Sequence, residues 1–153
     1  VDVNEVLDST ILLVNTKATL GQIEILREVD SALPYVLADA EQLRQVILNI
    51  ILNAIQAITT GEGCILINTC YADTENMVHV SVTDTGVGIV TENLAKIFNP
   101  FFTTKSKGTG LGLSVAYRLV DSWGGKITVH SLPECGSVFT IVLPVAEGER
   151  NIG

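Results

Sequence analysis

Long apolar runs, paired cysteines and charge are all scarce in this 153-residue chain. Each long apolar stretch is interrupted by Asn, Gln or Arg, so no segment reaches the roughly 20 apolar residues that a membrane-spanning helix needs. Cys64, Cys70 and Cys135 are odd in number and lack C-x-x-C spacing, which favours reduced thiols over a zinc site or disulfide framework. Charged residues make up 17% and hydrophobic residues 47%, the opposite of a disordered segment. The composition predicts one globular domain.

Basic residues are also few, with nine Lys and Arg against 17 Asp and Glu and a net charge of −8. This balance argues against nucleic acid and anionic membrane surfaces as partners. The stretch from Lys96 to Lys126 is the exception, because it holds five basic residues and a single acid, Asp121. A basic segment in an acidic domain is the first sign of a site for a small polyanion.

Hydrophobic periodicity predicts an α+β chain with a helix layer on one face of a mixed sheet. Helices are predicted over 4–18, 39–58, 91–98 and 111–123. Strands are predicted over 22–29, 35–38, 63–71, 77–83, 126–131 and 137–143. The second helix is the clearest, since its apolar residues recur at helical spacing and Asp39 is a suitable N-cap.

Neutral amides form a stripe along that second helix, at Gln42, Gln45, Asn49, Asn53 and Gln56. Asn49 and Asn53 are one turn apart and therefore point the same way. Their carbonyl oxygens are hard, uncharged ligands that suit a Mg²⁺ ion already shared with phosphates. A stripe that only solvates the helix edge would give the same pattern.

A D-T-G-V-G-I segment, residues 84–89, directly follows a predicted strand. Gly86 and Gly88 would let the backbone approach a flat ligand closely. The Asp84 carboxylate could then accept a hydrogen bond from an exocyclic amine. An ordinary glycine turn between strand and helix is the alternative.

Three glycines, Gly108, Gly110 and Gly112, open the last predicted helix after a loop without periodicity at 99–110. Backbone amides at a helix N-terminus form an anion site, and Lys105 and Lys107 lie just upstream. Two adjacent phenylalanines in the loop favour burial over a solvated linker. The loop matches neither a Walker A motif nor a Rossmann fingerprint.

In order, the chain reads N-x-x-x-N, D-x-G-x-G-I, N-P-F-F-T-T-K and G-T-G-L-G-L. This succession resembles the ATP-binding catalytic domain of sensor histidine kinases, most of all their nitrogen-regulator class. The wider family includes DNA gyrase B, the ninety-kilodalton heat-shock chaperones and MutL. The resemblance implies a two-layer α/β sandwich of the Bergerat type with a mixed, mostly antiparallel sheet. It implies a core at 3–144, an ATP lid at 99–109 and a tail at 145–153.

The resemblance also implies a role for each motif residue. Asp84 would accept the adenine amino proton, with a water shared by Thr140. Asn53 would bind Mg²⁺, and Asn49, Asn53 and Lys105 would form the catalytic group. Ile58 and Ile89 would line the apolar part of the pocket, and Phe101 and Phe102 would pack the base of the lid. The implied ATP-binding residues are Asn53, Asp84, Gly86, Gly88, Ile89, Phe101, Thr104, Lys105, Lys107, Gly108, Thr109, Gly110, Leu111, Gly112 and Thr140.

Asn49 stands where the gyrase and MutL branch has a Glu that activates water. An amide cannot act as a general base, so the resemblance favours phosphoryl transfer to a histidine over hydrolysis. His79 and His130 each lie in a predicted strand with no adjacent acid, so neither is expected to be the acceptor. Because the chain begins at Val1, we expect a dimerisation domain with the acceptor histidine elsewhere in a longer protein, and no autophosphorylation by this chain alone.

The expected partners are ATP with Mg²⁺, the acceptor histidine and a downstream response regulator. We expect a cytoplasmic domain, free or attached to a membrane-bound sensor, without direct membrane contact. Two alternatives stay open. One is a nucleotide-binding regulatory module without transfer, and the other is a serine protein kinase of the anti-sigma-factor type.

Overall fold

The computed structural model describes residues 1–58, 62–89, 94, 96–97, 112–132 and 135–146. The described helices are α1 (Val3–Leu20), α2 (Ala40–Ala57) and α3 (Gly112–Ser122). The strands are β1 (Ile23–Glu28), β2 (Gly63–Ala72), β3 (Met77–Asp84), β4 (Lys126–Leu132) and β5 (Gly136–Pro144). The predicted helix at 91–98 lies largely outside the described residues, and the predicted loop at 99–110 lies wholly outside them.

The five strands form one sheet in the order β1-β2-β3-β5-β4. β1 pairs with β2 in parallel, and the other three pairings are antiparallel. Side chains alternate between the two faces of a strand, and in β3 the alternation buries Val78, Val80 and Val82. The helices cover this face, so the predicted two-layer architecture with a mixed, mostly antiparallel sheet is confirmed.

Helix α2 supplies the centre of the core. Its fully or nearly fully buried residues are Leu43, Val46, Ile47, Ile50, Ile51, Ala54 and Ile55. A stripe this wide holds the helix against the sheet. The helix begins after Asp39, whose carboxylate accepts the Gln42 backbone N–H at 2.9 Å, as a capping residue does. The amide residues of α2 lie outside this buried apolar stripe.

The predicted strand at 35–38 is wrong, because only Val36 forms a bridge, to Val145. The connector instead makes two hydrogen bonds to each of two chain segments, Val1 and residues 144–146. Val36 N–H donates to the Val1 carbonyl at 3.0 Å, and Ala146 N–H donates to the Tyr35 carbonyl at 2.9 Å. Val145 and Ala146 are each 5% exposed, so two residues beyond 144 are buried as well. Residues 147–153 lie outside the described part of the chain.

Within the described residues, no helix is both long enough and apolar enough to cross a membrane. The three cysteines are free thiols, with Cys64 half-buried and Cys70 and Cys135 exposed.

Candidate functional site

Asp84 lies at the carboxyl end of β3 with only 3% of its surface exposed. Among the described residues it is the one buried side chain that carries a formal charge. Burying a carboxylate is costly unless it is hydrogen-bonded, and here the Gly86 N–H donates to Asp84 Oδ1 at 2.8 Å. The glycine motif therefore holds the carboxylate that precedes it.

The first glycine motif packs against the end of α2. A Cβ on Gly86 would lie 2.5 Å from the Ala57 carbonyl oxygen, so no side chain fits there. The same carbonyl accepts the Val87 N–H at 3.0 Å. Gly88 has a φ of 75°, a conformation that favours glycine. At Gly86, the group that closely approaches the backbone is therefore the end of α2.

Asn49 connects α2 to the first residue of α3. Its Nδ2 donates to the Gly112 carbonyl oxygen at 3.2 Å, and both groups are partly buried. Asn53 lies one turn further along α2 and is also partly buried. The amide stripe is thus not a merely solvated edge, because Asn49 binds Gly112, one of the glycines of the G-T-G-L-G-L segment (the second glycine motif).

The two glycine motifs contact α2 at separate points. Gly112 meets it at Asn49, and Gly86 and Val87 meet it at Ala57. Eight residues of helix separate these points, or about 12 Å along the axis. Asn53 lies midway between them. This spacing suits an elongated ligand that has a base at one end and phosphates at the other.

Thr140 does not lie beside Asp84. The β3–β5 register pairs Asp84 with Ser137, and it pairs Thr140 with Ser81. Thr140 Oγ1 lies 3.2 Å from Ser81 Oγ on the sheet face away from the helices. The predicted water shared between Asp84 and Thr140 is therefore wrong, since strand residues three apart point to opposite faces. Ser137, which is 5% exposed, is the hydroxyl opposite Asp84.

The alternation in β5 could have revealed this. Phe139, Ile141 and Leu143 are buried at a spacing of two, which places Ser137 on the inner face and Thr140 on the outer one. A cavity of about 220 Å³ opens at this end of the sheet, and its lining includes Asp84, Ser131 and Ser137. Ser131 and Ser137 are candidate site residues that the sequence did not predict.

The remaining predicted residues divide into two groups. Ile58 is 8% exposed within the core, and Ile89 packs against the core. Phe101, Phe102, Thr104, Lys105, Lys107, Gly108, Thr109, Gly110 and Leu111 lie outside the described residues, as does the predicted lid at 99–109.

Both histidines lie on strands, and His130 lines the same cavity as Asp84. His79 Nε2 lies 3.1 Å from Glu75 Oε1, because the turn after β2 brings that acid back over β3. Because only acids adjacent to each histidine were considered from the sequence, the contact between His79 and Glu75 was not predicted. His130 in β4 pairs in register with Val138.

Residues 38–147 match the family described as histidine kinase-, DNA gyrase B-, and HSP90-like ATPase, and the chain belongs to that family. It is 42% identical over 146 residues to the signal transduction histidine-protein kinase AtoS of Escherichia coli (strain K12). That match covers 95% of this chain and 24% of AtoS. The chain spans about a quarter to a third of the length of the first curated relatives it matches.

Solved structures narrow the class within the family. The catalytic domain of the histidine kinase ThkA is 38% identical with a TM-score of 0.80, and the match covers 93% of each chain. Full-length ShkA in complex with AMPPNP is 34% identical with a TM-score of 0.84, covering 95% of this chain and 30% of ShkA. ThkA in complex with the response regulator TrrA matches with 35% identity and a TM-score of 0.77, covering 95% of this chain and 41% of that one. The chain is an ATPase domain of the histidine kinase type.

Proposed function

We propose that this domain binds Mg-ATP and transfers the γ-phosphoryl group to a histidine on a dimerisation domain in the full-length protein. The observation that carries this proposal is the attachment of both glycine motifs to α2. The buried Asp84 belongs to the motif that contacts α2 at Ala57. Gly112, the first residue of α3, makes the other contact, at Asn49. This arrangement supports base recognition at one end of an elongated site and phosphate binding at the other.

Asp84 is the proposed acceptor for the adenine amino group. Its Oδ1 already accepts the Gly86 N–H, which fixes the orientation of the carboxylate. An ionised carboxylate only accepts hydrogen bonds, so it favours a base edge that presents an N–H donor. At the other end, the first backbone amides of α3 have no partners within the helix and favour anions.

Asn53 is the proposed protein ligand for Mg²⁺. The fit rests on donor chemistry and place, since its neutral carbonyl oxygen is a hard ligand on the stretch of α2 between the two motifs. Mg²⁺ usually takes few protein ligands and the remainder from phosphates and water. The ion would supply positive charge to the phosphates without adding anions from the protein. Lys105 and Lys107 are proposed to add the remaining cations.

Asn49 supports transfer over hydrolysis. Its Nδ2 is used on the Gly112 carbonyl, and an amide cannot take a proton from water at neutral pH. The reaction would then depend on positioning and charge neutralisation, with the nucleophile supplied by the acceptor histidine.

The partners follow from the same proposal. The acceptor histidine would reside outside this chain, and a response regulator would receive the phosphoryl group next. The ThkA–TrrA complex, a histidine kinase with its response regulator, supports a partner of this kind. An ATP-dependent reaction and free thiols fit a cytoplasmic location.

The test is transfer in trans. The purified domain would be mixed with a dimerisation segment from its full-length protein and γ-labelled ATP, with and without Mg²⁺. We expect acid-labile, base-stable label on the acceptor's histidine, only with Mg²⁺ present and only when both pieces are present. Label on serine would instead favour a serine kinase, and nucleotide binding without any label would favour a regulatory module.

A further inference from the structure

Ser131 on β4 and Ser137 on β5 form a small hydroxyl cluster beside Asp84. The Ile89 N–H donates to Ser131 Oγ at 2.7 Å, across 42 residues of sequence. Ser131 Oγ also lies 2.7 Å from Ser137 Oγ and 3.1 Å from the Gly136 carbonyl oxygen. The last residue of the first glycine motif is therefore held by a side chain from the far edge of the sheet.

The loop is held at two points of different chemistry. At Val87 the partner is the Ala57 carbonyl, a backbone group that no substitution removes. At Ile89 the partner is the Ser131 hydroxyl, which a substitution can remove. Ser131 is thus the side chain that fixes the glycine motif after Gly88.

Proton counting links Ser131 to Ser137. A serine hydroxyl has one proton, and the Ile89 N–H already donates to Ser131. The Ser131 proton therefore goes either to Ser137 Oγ or to the Gly136 carbonyl oxygen. In the first case Ser137 keeps its own proton for another acceptor, and in the second it donates to Ser131. The directions of the Ser131 and Ser137 protons are therefore coupled.

Ser137 and Asp84 are directly opposed in the β3–β5 register and face the same side of the sheet. Opposed residues on neighbouring strands have Cβ atoms about 4.5–5.5 Å apart. Gly136 brings β5 close at this point, since a Cβ on it would lie 2.1 Å from the Asp84 carbonyl oxygen. Asp84, Ser131 and Ser137 are among the residues that line one cavity, together with Thr83, His130 and Val138.

We propose that Ser131 is a positioning residue that determines the preference for adenine over guanine; this inference rests on the proposed nucleotide-binding function. Ser131 fixes Ile89 and shares a hydrogen bond with Ser137, and so sets the cavity wall beside Asp84. Adenine presents an amino group where guanine presents a carbonyl. A carboxylate accepts a hydrogen bond from the amino group and repels the carbonyl oxygen. Discrimination of this kind requires that the base cannot shift within the cavity.

The test compares Ser131→Ala, Ser131→Thr and Ser81→Ala by calorimetric titration with Mg-AMPPNP and its guanine counterpart, Mg-GMPPNP. Ser131→Ala should raise the Kd for the adenine analogue about 5- to 30-fold and change that for the guanine analogue less than about 2-fold. Ser131→Thr keeps the hydroxyl and should restore the preference. Ser81→Ala is the matched control, because it removes a hydroxyl pair on the opposite face of the sheet. Amide exchange at Ile89 should quicken in Ser131→Ala and stay unchanged in Ser81→Ala.

The outcomes separate this inference from the proposed function. If the wild-type chain prefers the adenine analogue and Ser131→Ala keeps that preference, the inference is overturned and the proposed function is not. An equal loss for both nucleotides in Ser131→Ala also overturns it, since the residue would then serve only the fold. If the wild-type chain binds neither nucleotide, the proposed function is overturned and the inference with it.

Discussion

Asn49 and Gly112, 63 residues apart in sequence, are joined by a 3.2 Å hydrogen bond from Asn49 Nδ2 to the Gly112 carbonyl oxygen. This contact fixes the start of α3 relative to α2. It therefore sets where the first amides of α3 point, and through them the proposed phosphate end of the site.

Replacing Asn49 by Ala should lower the free energy of unfolding by about 0.5–1.5 kcal/mol, the usual net value of one hydrogen bond. Asn49→Asp should cost more, because a carboxylate would face the Gly112 carbonyl oxygen and the phosphates. Urea unfolding and Mg-AMPPNP titration measure both effects. Gln45→Ala is the control, since Gln45 is an exposed amide one turn earlier on α2. If Asn49→Ala behaves like this control, the contact has no positioning role.

Asp84→Asn should weaken adenine-nucleotide binding about 10- to 100-fold, the range for a lost hydrogen bond to a charged group. The Asn oxygen would be needed for the Gly86 N–H, which turns the amide NH₂ toward the amino group of the base. Fluorescence titration with a labelled ATP analogue measures the loss. Asp73→Asn in the exposed β2–β3 turn is the matched control. Equal affinity in both variants would mean that adenine binds elsewhere.

Asn53→Ala should reduce AMPPNP affinity in the presence of Mg²⁺ and leave it unchanged in EDTA. The reason is that the lost carbonyl oxygen serves the metal and not the nucleotide itself. Gln56→Ala, at an exposed amide of the same helix, should change neither affinity. A fall of the same size with and without Mg²⁺ would remove Asn53 as the metal ligand.

Gly86→Ala should destabilise the domain by about 1–3 kcal/mol, because the new Cβ would meet the Ala57 carbonyl oxygen at 2.5 Å. Gly21→Ala is the comparison, as its φ is −86° and its nearest contact would be 3.5 Å. That change should alter stability by less than about 1 kcal/mol. Thermal and urea unfolding of the two variants measure the difference. Equal stabilities would contradict the close packing of the glycine motif on α2.

Local patterns were sufficient for much of this structure. The apolar spacing of α2 and its Asp39 cap predicted the central helix, which runs from Ala40 to Ala57. The two glycine motifs could be identified from the sequence because each is a short run of consecutive residues. The predicted strand at 35–38 failed because its hydrogen bonds are divided between Val1 and residues 144–146 and form no ladder along one neighbouring strand.

Contacts between distant segments were the harder part. The family resemblance implied Thr140 as the hydroxyl near Asp84, but it does not specify the register of β5, which pairs Asp84 with Ser137. Ser131 carries no local signal at all, since a serine in a strand is unremarkable until Ile89 is seen to donate to it. Asn49 was predicted from the amide stripe, but its contact with Gly112 was not, because that residue lies on another helix.

The orientation of the nucleotide is the central claim, and amide NMR perturbation tests it most directly. Adenosine should shift the amide signals of Gly86 to Ile89 and of Ser137 and leave the Asn49 and Asn53 side-chain amides unchanged. Mg-AMPPNP should shift both sets, together with Gly112. Adenosine shifts confined to Asn49, Asn53 and Gly112, or to the outer sheet face around Thr140, would contradict the account.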